Sequence, residues 1–154
     1  MGEEITGKVK LPPIGQIGIV VKDLDKVLDF YQNTFGIGPW AVREGEYKAL
    51  RVRDKIYPCK TKVACTNYGS IELELFQVRE GHSLHSEFLD QGREGLHHLG
   101  FYVSREEKEK ILADLAKEGI GVVQGADMPK VSYAYVDTDK IGGVFFEFIE
   151  KRSE

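Results

Sequence analysis

The chain runs through one pattern twice, and that repeat is its strongest constraint. Residues 14–21 (IGQIGIVV) alternate like a half-buried strand. Asp23 then stands as N-cap to a helix whose apolar positions are Leu24, Val27, Leu28, Tyr31 and Phe35, closed by Gly36. Residues 38–44 read as a second strand, and residues 62–66 and 71–78 as a hairpin around 67–70. After a polar connection the series begins again. A strand at 96–103 is entered through Gly95, and Ser104 and Glu107 form a capping box. A helix with Ile111, Leu112 and Leu115 inward stops at Gly119. Strands at 121–125, 131–137 and 144–150 follow, the last two joined by a turn at 140–143. Each half is strand, helix and three strands, so the expected class is α+β, with two modules sharing one core.

The expected boundaries are a flexible lead-in at 1–13, a first module at 14–79, a linker at 80–94 and a second module at 95–150. The linker contains a short amphipathic piece at 84–89. Residues 45–60 are charged and weakly periodic and read as a loop or long excursion. Gly142 and Gly143 mark a turn and not a phosphate loop, because no helix follows them.

Strand periodicity sorts the polar residues by face. His98, Gly100 and Tyr102 share one face, and apolar Leu99, Phe101 and Val103 share the other. His97 then points away from His98 and is read as structural. Gln16 holds the place in the first half that His98 holds in the second, 82 residues later. Glu72 and Glu147 correspond likewise in the last strand of each half. Glu74 shares the face of Glu72. A carboxylate set among Phe145, Phe146 and Phe148 is costly without a partner, which marks Glu147 for a role. If the halves pair into one curved sheet, Gln16, Glu72, His98 and Glu147 converge. One imidazole, two carboxylates and an amide oxygen suit a divalent ion with open positions for water or substrate. Trp40, Cys65, Tyr102 and Tyr135 are the candidates for contact with a substrate. His82 and His85 fall in the polar connection and are expected in solvent.

Composition narrows the function classes. At 154 residues a single domain is the default. A formal net charge of -4 offers no footprint for nucleic acid or an anionic membrane. Cys59 and Cys65 cannot build a disulfide framework, and their spacing is not that of a metal knuckle. No apolar run reaches membrane-spanning length, and residues 1–10 are polar and charged, unlike a signal peptide. The cytoplasm is the expected compartment.

The repeat, with GQIGI at 15–19, FY at 30–31, FG at 35–36, IEL at 71–73, GLHH at 95–98 and VFFE at 144–147, resembles the vicinal-oxygen-chelate superfamily. This is the group of glyoxalase I, methylmalonyl-CoA epimerase, extradiol dioxygenases and bleomycin-resistance proteins. The resemblance spans residues 14–150, and the GLHH segment looks most like methylmalonyl-CoA epimerases and nearby glyoxalase-like proteins. It implies a cup-shaped mixed sheet of paired βαβββ modules with helices outside, and commonly a homodimer. It also implies one divalent metal ion (Zn, Co, Ni, Mn or Mg) held by Gln16, Glu72, His98 and Glu147. Glu147 would be both ligand and base, with Glu74 in reserve as a second acid or base. The further glutamate of the epimerases, on a middle strand of the first half, has no clear match here.

Three functions follow from the resemblance. The first is a metal-dependent isomerase, epimerase or lyase that moves a proton next to a carbonyl, in a thioester or hemithioacetal. The second is a ring-cleaving dioxygenase, whose iron prefers two histidines and one carboxylate; Gln16 argues against it. The third is a protein that sequesters a small molecule, and such relatives commonly lack the full ligand set. The complete set favours the first.

Overall fold

The structure, a computed structural model, describes residues 4–152. Its elements are β1 (Gln16–Val20), α1 (Leu24–Phe35), β2 (Ala41–Val52), β3 (Lys55–Tyr68), β4 (Ile71–Gly81), α2 (Leu84–Asp90), β5 (Gly95–Tyr102), α3 (Arg105–Lys117), β6 (Val122–Asp127), β7 (Val131–Val136) and β8 (Phe145–Lys151), with one turn of 3-10 helix at Thr138–Lys140. The doubled strand–helix–three-strand pattern is present. The helix ends carry the signals expected of them. Asp23 caps α1 by accepting from the Lys26 amide, and Gly36 closes it in the left-handed region at φ 69°. Ser104 and Glu107 cap α3 reciprocally.

The eight strands close into one barrel in the order β1-β4-β3-β2-β6-β7-β8-β5. The cup is therefore built within a single chain. The modules meet at two seams of unequal length. β1 and β5 pair along their lengths, antiparallel. β2 and β6 pair only at Arg51↔Gly125 and Val52↔Gln124. From Ala41 to Leu50, β2 has no described strand beside it on that flank, and this gap forms the mouth of the cup.

Two helices cover the outer surface. α1 lays Leu24 against Val21, Ala64 and Leu75, and α3 lays Ile111 and Leu115 against Phe101, Val103, Val136 and Phe148. Val9 and Leu11, in the lead-in, pack onto this second cluster. The short helix α2 closes one end of the barrel, with Leu84 among Leu50, Val52, Tyr135 and Phe145, and Phe88 against Val20, Val63 and Phe76. No helix among the described residues is long and apolar enough to cross a membrane.

The stretch 45–60 differs from expectation. It is not a loop: β2 and β3 run through it as a long antiparallel ladder from Ala41↔Cys65 to Val52↔Lys55. The register shifts between Tyr47 and Leu50, so the inward positions pass from Gly45 and Tyr47 to Leu50 and Val52 and break the period of two. The outward residues face water and are charged, which hides the remaining alternation.

His85 also departs from expectation. It is 2% exposed and lies inside the closed end of the barrel. The spacing of Leu84, His85 and Phe88 places all three on the buried side of α2, a signal present in the sequence and masked by its polar surroundings.

Candidate active site

A cavity of about 520 Å³ occupies the barrel between α2 and the mouth. The parallel register of β1 with β4 pairs Gln16 with Glu72 and Gly18 with Glu74. The antiparallel register of β1 with β5 pairs Gln16 with Gly100 and Gly18 with His98. In β8, Glu147 is level with Gly100. Two large polar side chains thus each lie across a glycine of the neighbouring strand. A Cβ on Gly18 would stand 2.0 Å from Nε2 of His98, and one on Gly100 would stand 2.8 Å from Cβ of Gln16.

Nε2 of His98 is the focus of the site. Gln16 Oε1 lies 3.2 Å from it, Glu74 Oε1 3.2 Å and Glu147 Oε2 4.0 Å. All four side chains are buried. Glu72 stands nearer the mouth, where its Oε1 accepts from Gln16 Nε2 at 2.8 Å and from the Tyr102 hydroxyl at 2.7 Å. The structure therefore brings Gln16, His98 and Glu147 together as the sequence suggests, with Glu74 in the inner group and Glu72 one layer out.

The remaining candidates divide between inside and outside. Tyr102 and Tyr135 line the cavity. Cys65 sits beside Glu74, its Sγ 4.0 Å from Oε2. Burial, then the charges of Glu74 and Glu72, push its thiol up to about 12. Trp40 packs on the outer cluster beside α1, and its Nε1 donates to the Ile37 carbonyl. It does not reach the cavity.

Electrostatics follow from two buried carboxylates around one imidazole. Burial raises the Glu147 pKa to about 7; Glu74 and Glu72 add to the rise, while His98 and the Tyr135 hydroxyl oppose it. For His98, burial favours the neutral ring, but the hydrogen bond to Glu74 and the charges of Glu147 and Glu74 outweigh it and raise the pKa. Burial also pushes the Tyr135 phenol well up, with Glu147 and Glu74 next in weight. Among the described residues His98 is the one basic side chain within 4.0 Å of either carboxylate. Two buried carboxylates, an amide oxygen and an imidazole nitrogen converging in one place fit a divalent cation.

His97 does not point away from the site. The β1–β5 register shifts between Gly18 and Ile19, so that Gly18 faces His98 while Ile19 faces Leu96. His97 is the extra residue of a β-bulge, where the strict alternation of faces lapses. It is fully buried, with its ring against Phe88 and Phe145 and stacked at 4.5 Å on His85. Ring nitrogens of His85, His97 and His98 lie within 4.8 Å of one another. The near-parallel stacking of His85 and His97, 26° between planes, directs their lone pairs side by side and not at one point. These three do not form a coordination centre of their own, and the donors that converge are those around Nε2 of His98.

Basic side chains, Arg43, Lys151 and Arg152, line the cavity with Met128 and Tyr102, and Arg152 is paired with Asp127 and Glu150. Lys151 lies 4.6 Å above the Tyr102 ring and 4.0 Å from Glu72.

Comparison with known proteins agrees with this architecture. The chain is 26% identical over 144 residues to the uncharacterized protein YqjC of Bacillus subtilis, covering 92% of this chain and 94% of that one. A variant of the Streptomyces coelicolor methylmalonyl-CoA epimerase, solved in complex with 2-nitronate-propionyl-CoA, superposes with a TM-score of 0.65 at 21% identity, over 94% of this chain and 97% of the epimerase. The methylmalonyl-CoA epimerase of Mycobacterium tuberculosis superposes with a TM-score of 0.64 at 18% identity, over 98% and 94%. At these identities the two structures speak to the fold. Residues 15–135 match the glyoxalase/bleomycin resistance protein/dioxygenase superfamily, and the chain belongs to it.

Proposed function

We propose that this protein is a metal-dependent isomerase, epimerase or lyase that moves a proton next to the carbonyl of a small anionic substrate. The observation that carries this reading is the convergence of Gln16 Oε1, Glu74 Oε1 and Glu147 Oε2 on Nε2 of His98, within 3.2–4.0 Å in a buried cavity. Gln16, Glu74, His98 and Glu147 would hold the ion, and Glu72 would steady Gln16 from the layer above. A divalent cation held there would supply Lewis-acid polarisation of the substrate's carbonyl oxygen.

The chain's own residues then divide the remaining work. Glu147, raised toward neutrality by burial, is suited to take a proton from the carbon beside the carbonyl and to return it. The transfer leaves the substrate's oxidation state unchanged. The Tyr135 hydroxyl holds Glu147 by hydrogen bonding, and Glu74, on the other side of His98, is placed to serve as a second acid or base. Arg43 and Lys151, on the cavity lining, favour an anionic group that extends outward. An acyl thioester or a hemithioacetal of an anionic thiol meets both demands, and 2-nitronate-propionyl-CoA is bound to one epimerase of this fold.

The test is elemental analysis of the tag-free protein alongside His98→Ala and Glu147→Ala, then α-proton exchange in deuterated water with acyl thioesters and hemithioacetals. The expected result is about one ion per chain in the wild type, loss of the ion in both folded variants, and exchange by the loaded wild type alone. A wild type that takes up no metal on reconstitution overturns the reading and leaves a binding cup.

A further inference from the structure

We infer that His97 is a positioning residue: its Nδ1 accepts a hydrogen bond from Nδ1–H of His98 and so reserves the opposite nitrogen, Nε2, for the centre of the site. This inference rests on the proposed function for its purpose, but its hydrogen bond can be tested without any metal.

The two Nδ1 atoms are 2.9 Å apart and both rings are fully buried, so one must donate and the other accept. The surroundings decide which. On the cavity side, Nε2 of His98 faces Gln16 Oε1 and two carboxylates. A ring that offers Nε2 as a lone pair to a cation must carry its proton on Nδ1. Nδ1 of His98 is then the donor and Nδ1 of His97, 2.9 Å away, the acceptor. The Phe88 and Phe145 rings wall His97 and hold its ring in that place.

The layer behind the site is arranged consistently. His85 Nε2 lies 3.1 Å from the Tyr135 hydroxyl, which also interacts with Glu147. This leaves Nδ1 of His85 buried without a hydrogen-bond partner among the described residues. Two aliphatic side chains would fill the closed end without that desolvation cost. What the histidines add over aliphatic residues is the pair of contacts to His98 and Tyr135. The β-bulge, which turns His97 and His98 toward the same interior, makes the first contact possible.

Two measurements test the inference. Nitrogen-15 NMR of the metal-free wild type should show a protonated, hydrogen-bonded Nδ1 on His98 and a proton on Nε2 alone of His97. The reverse assignment, with the proton on His97 Nδ1, overturns the inference whether or not metal binds. The second measurement is Zn²⁺ affinity, by competition with a chromogenic chelator, for His97→Asn and His97→Phe. Asparagine offers an acceptor oxygen near the place of Nδ1, whereas phenylalanine keeps the ring and removes the acceptor. The expected result is affinity within about threefold of wild type for His97→Asn and a loss of about 10- to 100-fold for His97→Phe, the range typical of such outer partners. Wild-type affinity in His97→Phe overturns the inference. A wild type that binds no Zn²⁺ counts against the proposed function, and the NMR assignment then decides this inference alone.

Discussion

His98 lies flat across Gly18, so close that a Cβ on the glycine would stand 2.0 Å from Cε1 and Nε2 of the imidazole. The metal-ligand candidate and the residue that makes room for it sit on different modules, 80 positions apart, as partners in the β1–β5 seam.

Gly18→Ala is expected to push the ring off the centre of the site. Overpacking of this kind costs about 1–3 kcal/mol, read as a lower midpoint of chemical denaturation, and metal affinity should fall with it. Gly100→Ala, whose Cβ would stand 2.8 Å from Cβ of Gln16, should destabilise as well, because that Cβ is fixed to β1 and cannot move aside. Equal stability of Gly18→Ala and the wild type would contradict the placement of His98.

Glu74 and Glu72 should separate cleanly on substitution. Glu74→Gln removes a carboxylate oxygen 3.2 Å from His98 Nε2 and is expected to weaken metal binding by at least about tenfold, some 1.4 kcal/mol. Glu72→Gln keeps an acceptor for Tyr102 and Gln16 and should change affinity about threefold or less. Isothermal titration with Zn²⁺ checks both, and the opposite ranking would move Glu72 into the inner group.

The metal-free protein should lose stability as pH rises from about 6.5 to 8; below 6.5 the buried, neutral His85 and His97 act in the opposite sense, because both take up a proton only on unfolding. His98 holds its proton more tightly in the folded protein than at its ordinary value of 6.5, so its contribution is complete below pH 6.5 and is lost above it, through its raised folded value. Glu147 moves in the same sense, since its value rises from 4.5 unfolded to about 7 folded. Its burial costs nothing extra below about pH 4.5, and the penalty grows until the folded group ionises near pH 7. Thermal melts in chelator should therefore fall in midpoint across this window, and Zn²⁺ should recover most of the loss at pH 8. A midpoint that climbs with pH would show that other groups dominate.

Tyr135→Phe removes a hydroxyl that bridges His85 and Glu147. Leaving buried partners unpaired costs about 1–3 kcal/mol, and without the donated proton Glu147 should titrate higher still. The check is the pH at which Glu147 loses its proton, followed by carboxyl-carbon NMR in wild type and variant. An unchanged titration would remove Tyr135 from contact with Glu147.

Cys59 and Cys65 should resist thiol reagents at pH 8 while the protein is folded. Burial raises both thiols, and Cys65 also faces the charges of Glu74 and Glu72. A chromogenic disulfide should label neither cysteine in the native protein and both after unfolding in denaturant. Rapid labelling of Cys65 in the native state would mean that the cavity beside Glu74 is open to solvent.

The sequence alone determined the doubled module, the helix caps, the inward faces of β1, β4 and β8, and the shared face of His98, Gly100 and Tyr102 in β5, because each is set by residues within a few positions along the chain. Gln16, Glu74, His98 and Glu147 are therefore legible as inward-facing polar groups. Only the tertiary structure decided which of them touch. The choice between Glu72 and Glu74 at His98 depends on how β1, β4 and β5 align, and both glutamates have the same period and the same chemistry. The reversal of His97 comes from a bulge, where one unpaired residue suspends alternation. The strands across 45–60 are likewise defined by pairing, since their outward charges and the shift after Tyr47 mask the pattern. His85 reads as solvated because its neighbours are polar, but burial is set by what α2 packs against, and that is the open end of a barrel that exists only once both modules have closed.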